Sequence, residues 1–418
     1  MPSVIVVGGG HAAAQFCSAL VAQSGTRWRA QDWRITLVTQ EAHPPYHRPP
    51  LSKQFLRAPQ GGPQPLLGAA FYAEHGMALR LRTRALAIDR VRQRLGVAPV
   101  QPGAPTQWLA YDHLVLATGA CARGLPQAWG QGVDTLPGVH VLRTLADAQG
   151  LAQALRPAGT LAVLGGGFIG LEVAATAAAL GWRVHVLEAA PRLLARAVSP
   201  AMSEHLHAVH RSRAVALRLG VAVGGLLAHE GRFAGLTLAD GALAADRLLV
   251  GIGSEPQTAL AHDCGLACDN GIAVDAGMGT QDPHISAIGD CAAFPHPAGQ
   301  GSMRLESVQN AQAHAELLAR RLLQADTPVP AFAPWFWSEQ GDTRLQIAGL
   351  WQADAQTVRR EGSRAGSFSL LHYAGARLQA VESVNAPADH MAARRWLARG
   401  HSPPPVRAGD AAVALKDL

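Results

Sequence analysis

Short apolar runs that end on glycine recur along the chain. Residues 3–10 read SVIVVGGG and residues 160–167 read TLAVLGGG. Each run has the length and β-branched content of a buried strand. Alanine-rich stretches follow, and they predict helices over 11–21 and 168–180. Each unit then closes on a second apolar strand, 34–38 and 183–187. A strand, a glycine turn, a helix and a second strand make a βαβ unit, the half-motif of a doubly wound parallel sheet. The chain carries two of them, an internal duplication.

Three further segments have the same strand-then-glycine form: 113–119, 248–253 and 285–290. A helix is expected over 307–323, stopping before Pro328 and Pro330. From Phe332 the texture changes to short strands beginning at Trp335-Phe336-Trp337, with a helix over 388–399. The tail from Ser402 through Pro403-Pro404-Pro405 reads as loose surface chain. The expected fold class is α/β: two Rossmann-like nucleotide-binding domains plus a C-terminal α+β domain. Residues 1–118 and 244–330 would form the first nucleotide domain, 119–243 the second, inserted into it, and 331–418 the third.

Composition narrows the reading. At ~150 residues per domain, 418 residues make two or three domains. A hydrophobic fraction of 48% against 16% charged allows large cores and argues against disorder. Five scattered cysteines cannot build a disulfide scaffold, so a reducing cytoplasm is the simplest compartment. The net charge of +6 suits an acidic partner. No basic run with interleaved aromatics argues for nucleic acid. The apolar stretch 161–180 is long enough to imitate a membrane helix, but its four glycines and Glu172 fit a glycine turn better. Only two of the 36 basic residues are lysines, Lys53 and Lys416, which makes Lys53 conspicuous.

Gly165-x-Gly167-x-x-Gly170 matches the dinucleotide fingerprint in full. One glycine permits the turn, another lets backbone approach a pyrophosphate, and the third lets helix and strand pack closely. The helix beyond offers free N–H donors to phosphate. Glu188, 23 residues after Gly165, ends the second strand, where a carboxylate can hold ribose hydroxyls and repel a 2′-phosphate, favouring NAD over NADP. Arg192 and Arg196 lie just downstream and blunt that preference. The first turn, Gly8-x-Gly10-x-x-Ala13, carries an accepted alanine variant. Its acid is Glu41, displaced along the chain by an insert over 23–33. Two dinucleotide sites on one chain suggest a flavin that stays bound and a nicotinamide that exchanges.

At this point the chain resembles the FAD- and NADH-dependent ferredoxin reductases of bacterial cytochrome P450 and ring-hydroxylating dioxygenase systems, which share the glutathione-reductase fold. The motifs that carry the resemblance span nearly the whole chain. They are residues 45–53 (PYHRPPLSK), Ala117-Thr118-Gly119, 165–172, 288–292 (IGDCA), 306–311 (ESVQNA) and 334–340 (PWFWSEQ). The resemblance implies FAD held by Gly8, Gly10, Ala13, Glu41, Arg48, Lys53, Ala117, Thr118, Gly119, Asp290, Val308 and Trp337. It implies NAD held by Gly165, Gly167, Phe168, Ile169, Gly170, Glu188 and Gly253. Lys53, Glu172 and Trp337 would be the catalytic set: Lys53 beside the isoalloxazine, Glu172 paired with it near the nicotinamide, and Trp337 on the side of the protein acceptor. A compact ammonium near a reduced, anionic flavin is a physical reason to keep a lysine in an arginine-rich chain. The bland alternatives are a surface amine for Lys53, an ordinary helix carboxylate for Glu172, and core aromatics for Trp335 and Trp337.

Absences direct the reaction type. No Cys-x-x-Cys or Cys-x4-Cys pair exists, so disulfide reduction is disfavoured. Cys264 and Cys268 read as reduced structural thiols, and Cys291 as a packing residue. His205, His207 and His210 read as a solvated helix face rather than a metal site. The resulting expectation is a flavoprotein that takes a hydride from NADH and passes single electrons to an acidic [2Fe-2S] ferredoxin. Arg304, Arg344, Arg359 and Arg360 are candidates for its docking surface. The alternatives on the same fold are an NADH oxidase, a rubredoxin or quinone reductase, or a redox-sensitive interaction protein of the apoptosis-inducing-factor type.

Overall fold

The computed structural model describes residues 2–24, 33–156, 158–296, 301–324, 327–329 and 333–418. Most of the insert 23–33 and the domain junction at 330–332 therefore lie outside the described residues. The chain divides into two compact units. The first is Met1–His47, Pro63–Cys121 and Glu255–Pro330; the second is Arg48–Gly62, Ala122–Ser254 and Ala331–Leu418.

In the first unit, five strands lie parallel in the spatial order Ile285–Ala287, His113–Leu116, Ser3–Val7, Arg34–Val38, Ala78–Arg80. The central strand is Ser3–Val7, with Val4 and Val6 fully buried. A strand paired on both edges and covered on both faces needs a continuous apolar run, which explains SVIVV without alternation. Helix His11–Ser24 crosses to Arg34–Val38 and packs against helix Val308–Leu323. Its alanines allow that close approach, and it runs three residues beyond the expected 11–21.

The second unit repeats the plan. Its parallel strands are ordered Ala216–Leu219, Arg183–Glu188, Thr160–Leu164, Arg247–Val250, Val139–His140. Helix Phe168–Ala179 follows the glycine turn and is buried nearly all round, from Gly170 to Ala177. Helix Pro200–Ser212 starts on an N-cap serine, Ser199, whose Oγ accepts from the Met202 N–H. The unit also contains an antiparallel sheet ordered Trp335–Gln340, Thr343–Gly349, Arg377–Val384, Phe368–Ala374, Gln356–Glu361, backed by helix Pro387–Ala398. One apolar cluster is continuous from Leu161 and Val186 through Met202 and Leu206 to Leu345, Phe368 and Leu370. The residues after 331 thus share a core with the second parallel sheet. No described helix is long and apolar enough to cross a membrane.

Three expectations are corrected. The tail after Ser402 is docked, not loose. It forms helix Pro405–Gly409, Ala408 is fully buried, and Leu415 and Leu418 pack against the C-terminal core. Arg360 holds it. The guanidinium donates to the carbonyls of Ala408 (3.2 Å), Asp410 (2.5 Å) and Val413 (2.9 Å) and lies 3.7 Å from the Asp389 carboxylate. Arg360, 6% exposed, is therefore no docking residue, and Arg304, bonded to Glu306 and the Asp290 carbonyl with its side chain 10% exposed, is not one either. His210 is not on a solvated face: it is fully buried and bonds Gln340.

Replacing Arg360 by Ala leaves three carbonyls and Asp389 without their cation. We expect a loss of about 3 kcal/mol, measured by denaturant unfolding, and protease cleavage within 402–418 that the parent resists.

Burial pushes the pKa values of His113, His314 and His390 down to about 4. The unfolded chain binds protons that these folded imidazoles refuse, so the stability they contribute is full above about pH 6.5 and lost as pH falls toward 4. Melting temperatures measured from pH 7 to pH 4 should fall steadily, and replacing His314 by Gln should flatten that slope.

Candidate functional site

Each unit presents one glycine turn between a parallel strand and a helix. In the first, Gly8 has φ +137°, and a Cβ there would meet the Ala117 carbonyl oxygen at 2.0 Å. Gly289 has φ +75°, with a Cβ position 3.0 Å from Ala12 and 3.6 Å from Ala311. The fingerprint helix, the Ala117-Thr118-Gly119 turn, the Gly289-Asp290 turn and the start of the Val308 helix therefore converge. Thr118 Oγ donates to the Gln257 carbonyl at 2.7 Å and fixes its turn. Glu41 follows the second strand, with its carboxylate accepting from Tyr46 Oη at 2.5 Å. Tyr46 is 1% exposed, and its role in holding Glu41 was not read from the sequence.

In the second unit, Gly165 has φ +104°, and its Cβ would lie 2.3 Å from the Gly251 carbonyl oxygen. At Gly170 a Cβ would lie 2.4 Å from the Gly165 carbonyl oxygen. These glycines are demanded by the fold itself. Gly10 and Gly167 differ: a Cβ at Gly10 meets nothing within 4 Å, and at Gly167 only the Gly251 oxygen at 3.9 Å. Open space beside a helix N-terminus, with an extended backbone at Gly167, is what an approaching pyrophosphate requires. Glu188 accepts from the Gly166 N–H at 2.6 Å and from the Ala190 N–H at 2.7 Å. It braces the turn through both carboxylate oxygens. Phe168 packs on Phe336 at 4.5 Å, and Ile169 next to it is 44% exposed. Gly253, with φ +118° and open space around it, ends the segment after Arg247–Val250.

Lys53 and Glu172, 119 residues apart, meet inside the second unit. Lys53 Nζ donates to Glu172 Oε2 at 2.6 Å, to the Pro49 carbonyl at 2.9 Å and to Ser52 Oγ at 3.2 Å. The lysine side chain keeps 17% of its surface exposed and the Glu172 side chain 4%. Glu172 also accepts from Ser52 Oγ at 2.5 Å, from Ser338 Oγ at 2.8 Å and from the Glu339 N–H at 3.3 Å. Arg48 donates to the Arg143 carbonyl at 2.9 Å. Trp337 lies on the strand of Ser338, partly buried, with its ring 6.1 Å from that of Trp335. Ser52 and Ser338 lie within residues 45–53 and 334–340, but nothing in the sequence shows that both point at one carboxylate.

Two of the thiols are sealed in the core. All five cysteines are free, and burial pushes the Cys17 thiol up to about 12 and raises that of Cys291. Neither can supply a thiolate near neutral pH.

The model of the pyridine nucleotide-disulphide oxidoreductases matches residues 2–315, and that of the reductase C-terminal domain matches 335–418. The chain belongs to the pyridine nucleotide-disulphide oxidoreductase family. It is 42% identical over 418 residues to rhodocoxin reductase of Rhodococcus erythropolis, covering 99% of this chain and 93% of that one. It is 38% identical to the ferredoxin–NAD(+) reductase component of the anthranilate 1,2-dioxygenase system of Burkholderia cepacia, covering 99% and 98%. Among solved structures, the ferredoxin reductase for the CYP199A2 system of Rhodopseudomonas palustris superposes with a TM-score of 0.91 at 39% identity, covering 100% and 99%. The putidaredoxin reductase–putidaredoxin complex gives 0.90 at 35%, covering 99% and 97%. The α/β, glutathione-reductase-like fold class expected from the sequence holds.

The two kinds of glycine should separate experimentally. Gly167→Ala is expected to keep its melting temperature and to weaken NADH binding, measured by titration, by about tenfold or more. Gly165→Ala is expected to lose stability before any ligand is added, because of its positive φ and the 2.3 Å clash.

Proposed function

We propose that the chain is an FAD-dependent, NADH-dependent ferredoxin reductase serving an oxygenase system, with a [2Fe-2S] ferredoxin as acceptor and the cytoplasm as its compartment. The observation that carries this reading is the likeness, over essentially the whole chain, to relatives that are themselves named as such reductases. The two glycine cradles, the Lys53–Glu172 pair and the lack of a redox cysteine pair support it. Residues 1–118 and 244–330 are assigned to FAD, 119–243 to NAD, and 331–418 to the third domain.

Bound FAD supplies the exchange between a two-electron hydride donor and a one-electron acceptor. The protein's own contribution is placement and charge. Backbone N–H groups after Gly10 and Gly167 would hold the pyrophosphates, and Glu41 and Glu188 would take ribose hydroxyls. Phe168, Ile169 and Gly253 line the NAD side. Asp290, Val308 and the Ala117–Gly119 turn line the FAD side. Arg48, Lys53 and Trp337 are assigned to the flavin on their motifs. Lys53, held by Glu172, presents a fixed ammonium whose position does not depend on solvent. Of the four candidate docking arginines, Arg344 and Arg359 keep exposed side chains (52% and 54%), each paired with a carboxylate, Glu339 at 3.8 Å and Glu361 at 2.5 Å, that an acidic acceptor would have to displace.

Purified protein mixed with NADH under argon should lose its yellow flavin absorbance, then reduce an acidic [2Fe-2S] ferredoxin faster at low salt than at high salt. Lys53→Met should slow the bleaching roughly tenfold or more. A flavin that NADH leaves unbleached would end this reading.

A further inference from the structure

Three side chains behind Glu172 are buried and hydrogen-bonded in series. Ser338, Gln340 and His210 are all 0% exposed. Gln340 Nε2 donates to Ser338 Oγ at 3.3 Å, and Gln340 Oε1 faces His210 Nε2 at 2.8 Å. A string of polar groups in a core is costly unless every member is satisfied, and apolar residues would fill the same space at less risk.

The amide sets the direction of the string. Its oxygen only accepts and its nitrogen only donates. With the oxygen toward His210, that imidazole must carry its proton on Nε2. With the nitrogen toward Ser338, the hydroxyl oxygen is occupied as an acceptor and its single proton goes to Glu172. Burial lowers the pKa of His210, a shift the Gln340 bond opposes and the charges of Arg213 and His207 reinforce. The imidazole is neutral and has one proton to place. His210 Nδ1 is buried with no hydrogen-bond partner among the described residues, which fits a bare nitrogen rather than an N–H. Arg213 anchors the same corner, donating to the Gln340 carbonyl at 2.7 Å and to Thr343 Oγ at 3.0 Å. At the far end, Ser52, Lys53, Ser338 and the Glu339 N–H all donate to the two oxygens of Glu172, so the group acts purely as an acceptor.

We propose that Ser338, Gln340 and His210 form a one-way hydrogen-bond relay that locks the Glu172 carboxylate and so positions the Lys53 ammonium. All three are positioning residues, and no proton moves along the string. Only the kinetic arm of the proposal rests on the reductase reading; the geometry stands without it.

The test uses holoenzyme labelled with 15N at histidine and lysine. Lys53 and Lys416 are the only lysines, so Lys416→Arg assigns the Lys53 signal, and His210→Gln assigns His210. The parent is expected to show His210 protonated on Nε2. In Gln340→Glu, a carboxylate at 340 cannot donate; Ser338 turns its proton toward it and Glu172 loses a donor. The Lys53 signal should then shift, and NADH-driven bleaching should slow about tenfold. Gln340→Met removes the donor without offering an acceptor and should change both in the same direction by less. A His210 proton on Nδ1 would overturn the relay, as would Gln340→Glu with the parent's Lys53 signal and rate. If Gln340→Glu does not fold, Ser338→Ala decides: an unmoved Lys53 signal overturns the proposal and a shifted one supports it. A parent that NADH fails to bleach counts against the reductase reading alone, because the tautomer and the Lys53 signal are read without NADH.

Discussion

A carboxylate on a side chain only 4% exposed needs donors to offset its lost hydration, and Glu172 is in that position. Its requirement organises much of the second unit. The fingerprint helix brings the acid, the segment Arg48–Gly62 brings Ser52 and Lys53, and the strand Trp335–Gln340 brings Ser338 and the Glu339 N–H. Three stretches far apart in sequence meet on one side chain. Thr176, one turn along the helix from Glu172, donates to the Ser52 carbonyl at 3.1 Å and ties the same segment down again. Breaking a buried pair of this kind strands the remaining charge, which costs far more than a surface ion pair returns.

Much of the architecture was legible because local chemistry dictates it. An apolar run, a glycine with positive φ and an alanine helix can be read from ten consecutive residues, and both fingerprints fold as read. The spacing does not show that the glycines divide into two jobs. Gly8, Gly165 and Gly170 are pressed against backbone, whereas Gly10 and Gly167 face open space. The sequence marks them alike; only the third dimension separates the glycines packed against backbone from those facing open space.

The misreadings share a physical cause. His210, Arg360 and the chain after Ser402 carry polar or proline-rich signatures, which by default suggest solvent. Each is satisfied by partners from distant segments: Gln340 for the histidine, carbonyls of residues 408–413 for the arginine, and that arginine for the tail. Tyr46 holding Glu41 and Ser338 aimed at Glu172 escaped notice for the same reason. A polar residue's sequence neighbours say nothing about a hydrogen bond made across the fold, so such pairs are legible only when a known motif already contains both partners.

The scarcity of lysine has a practical side. One ammonium is tied into the Glu172 cluster, while Lys416 stands exposed near the chain's last helical turn. Amine-reactive dyes, cross-linkers or activated resins would find few handles besides Lys416 and the α-amino group. A sensor electrode coupled through carbodiimide-activated carboxylates would therefore hold these molecules in a narrow set of orientations, without any engineering of the surface.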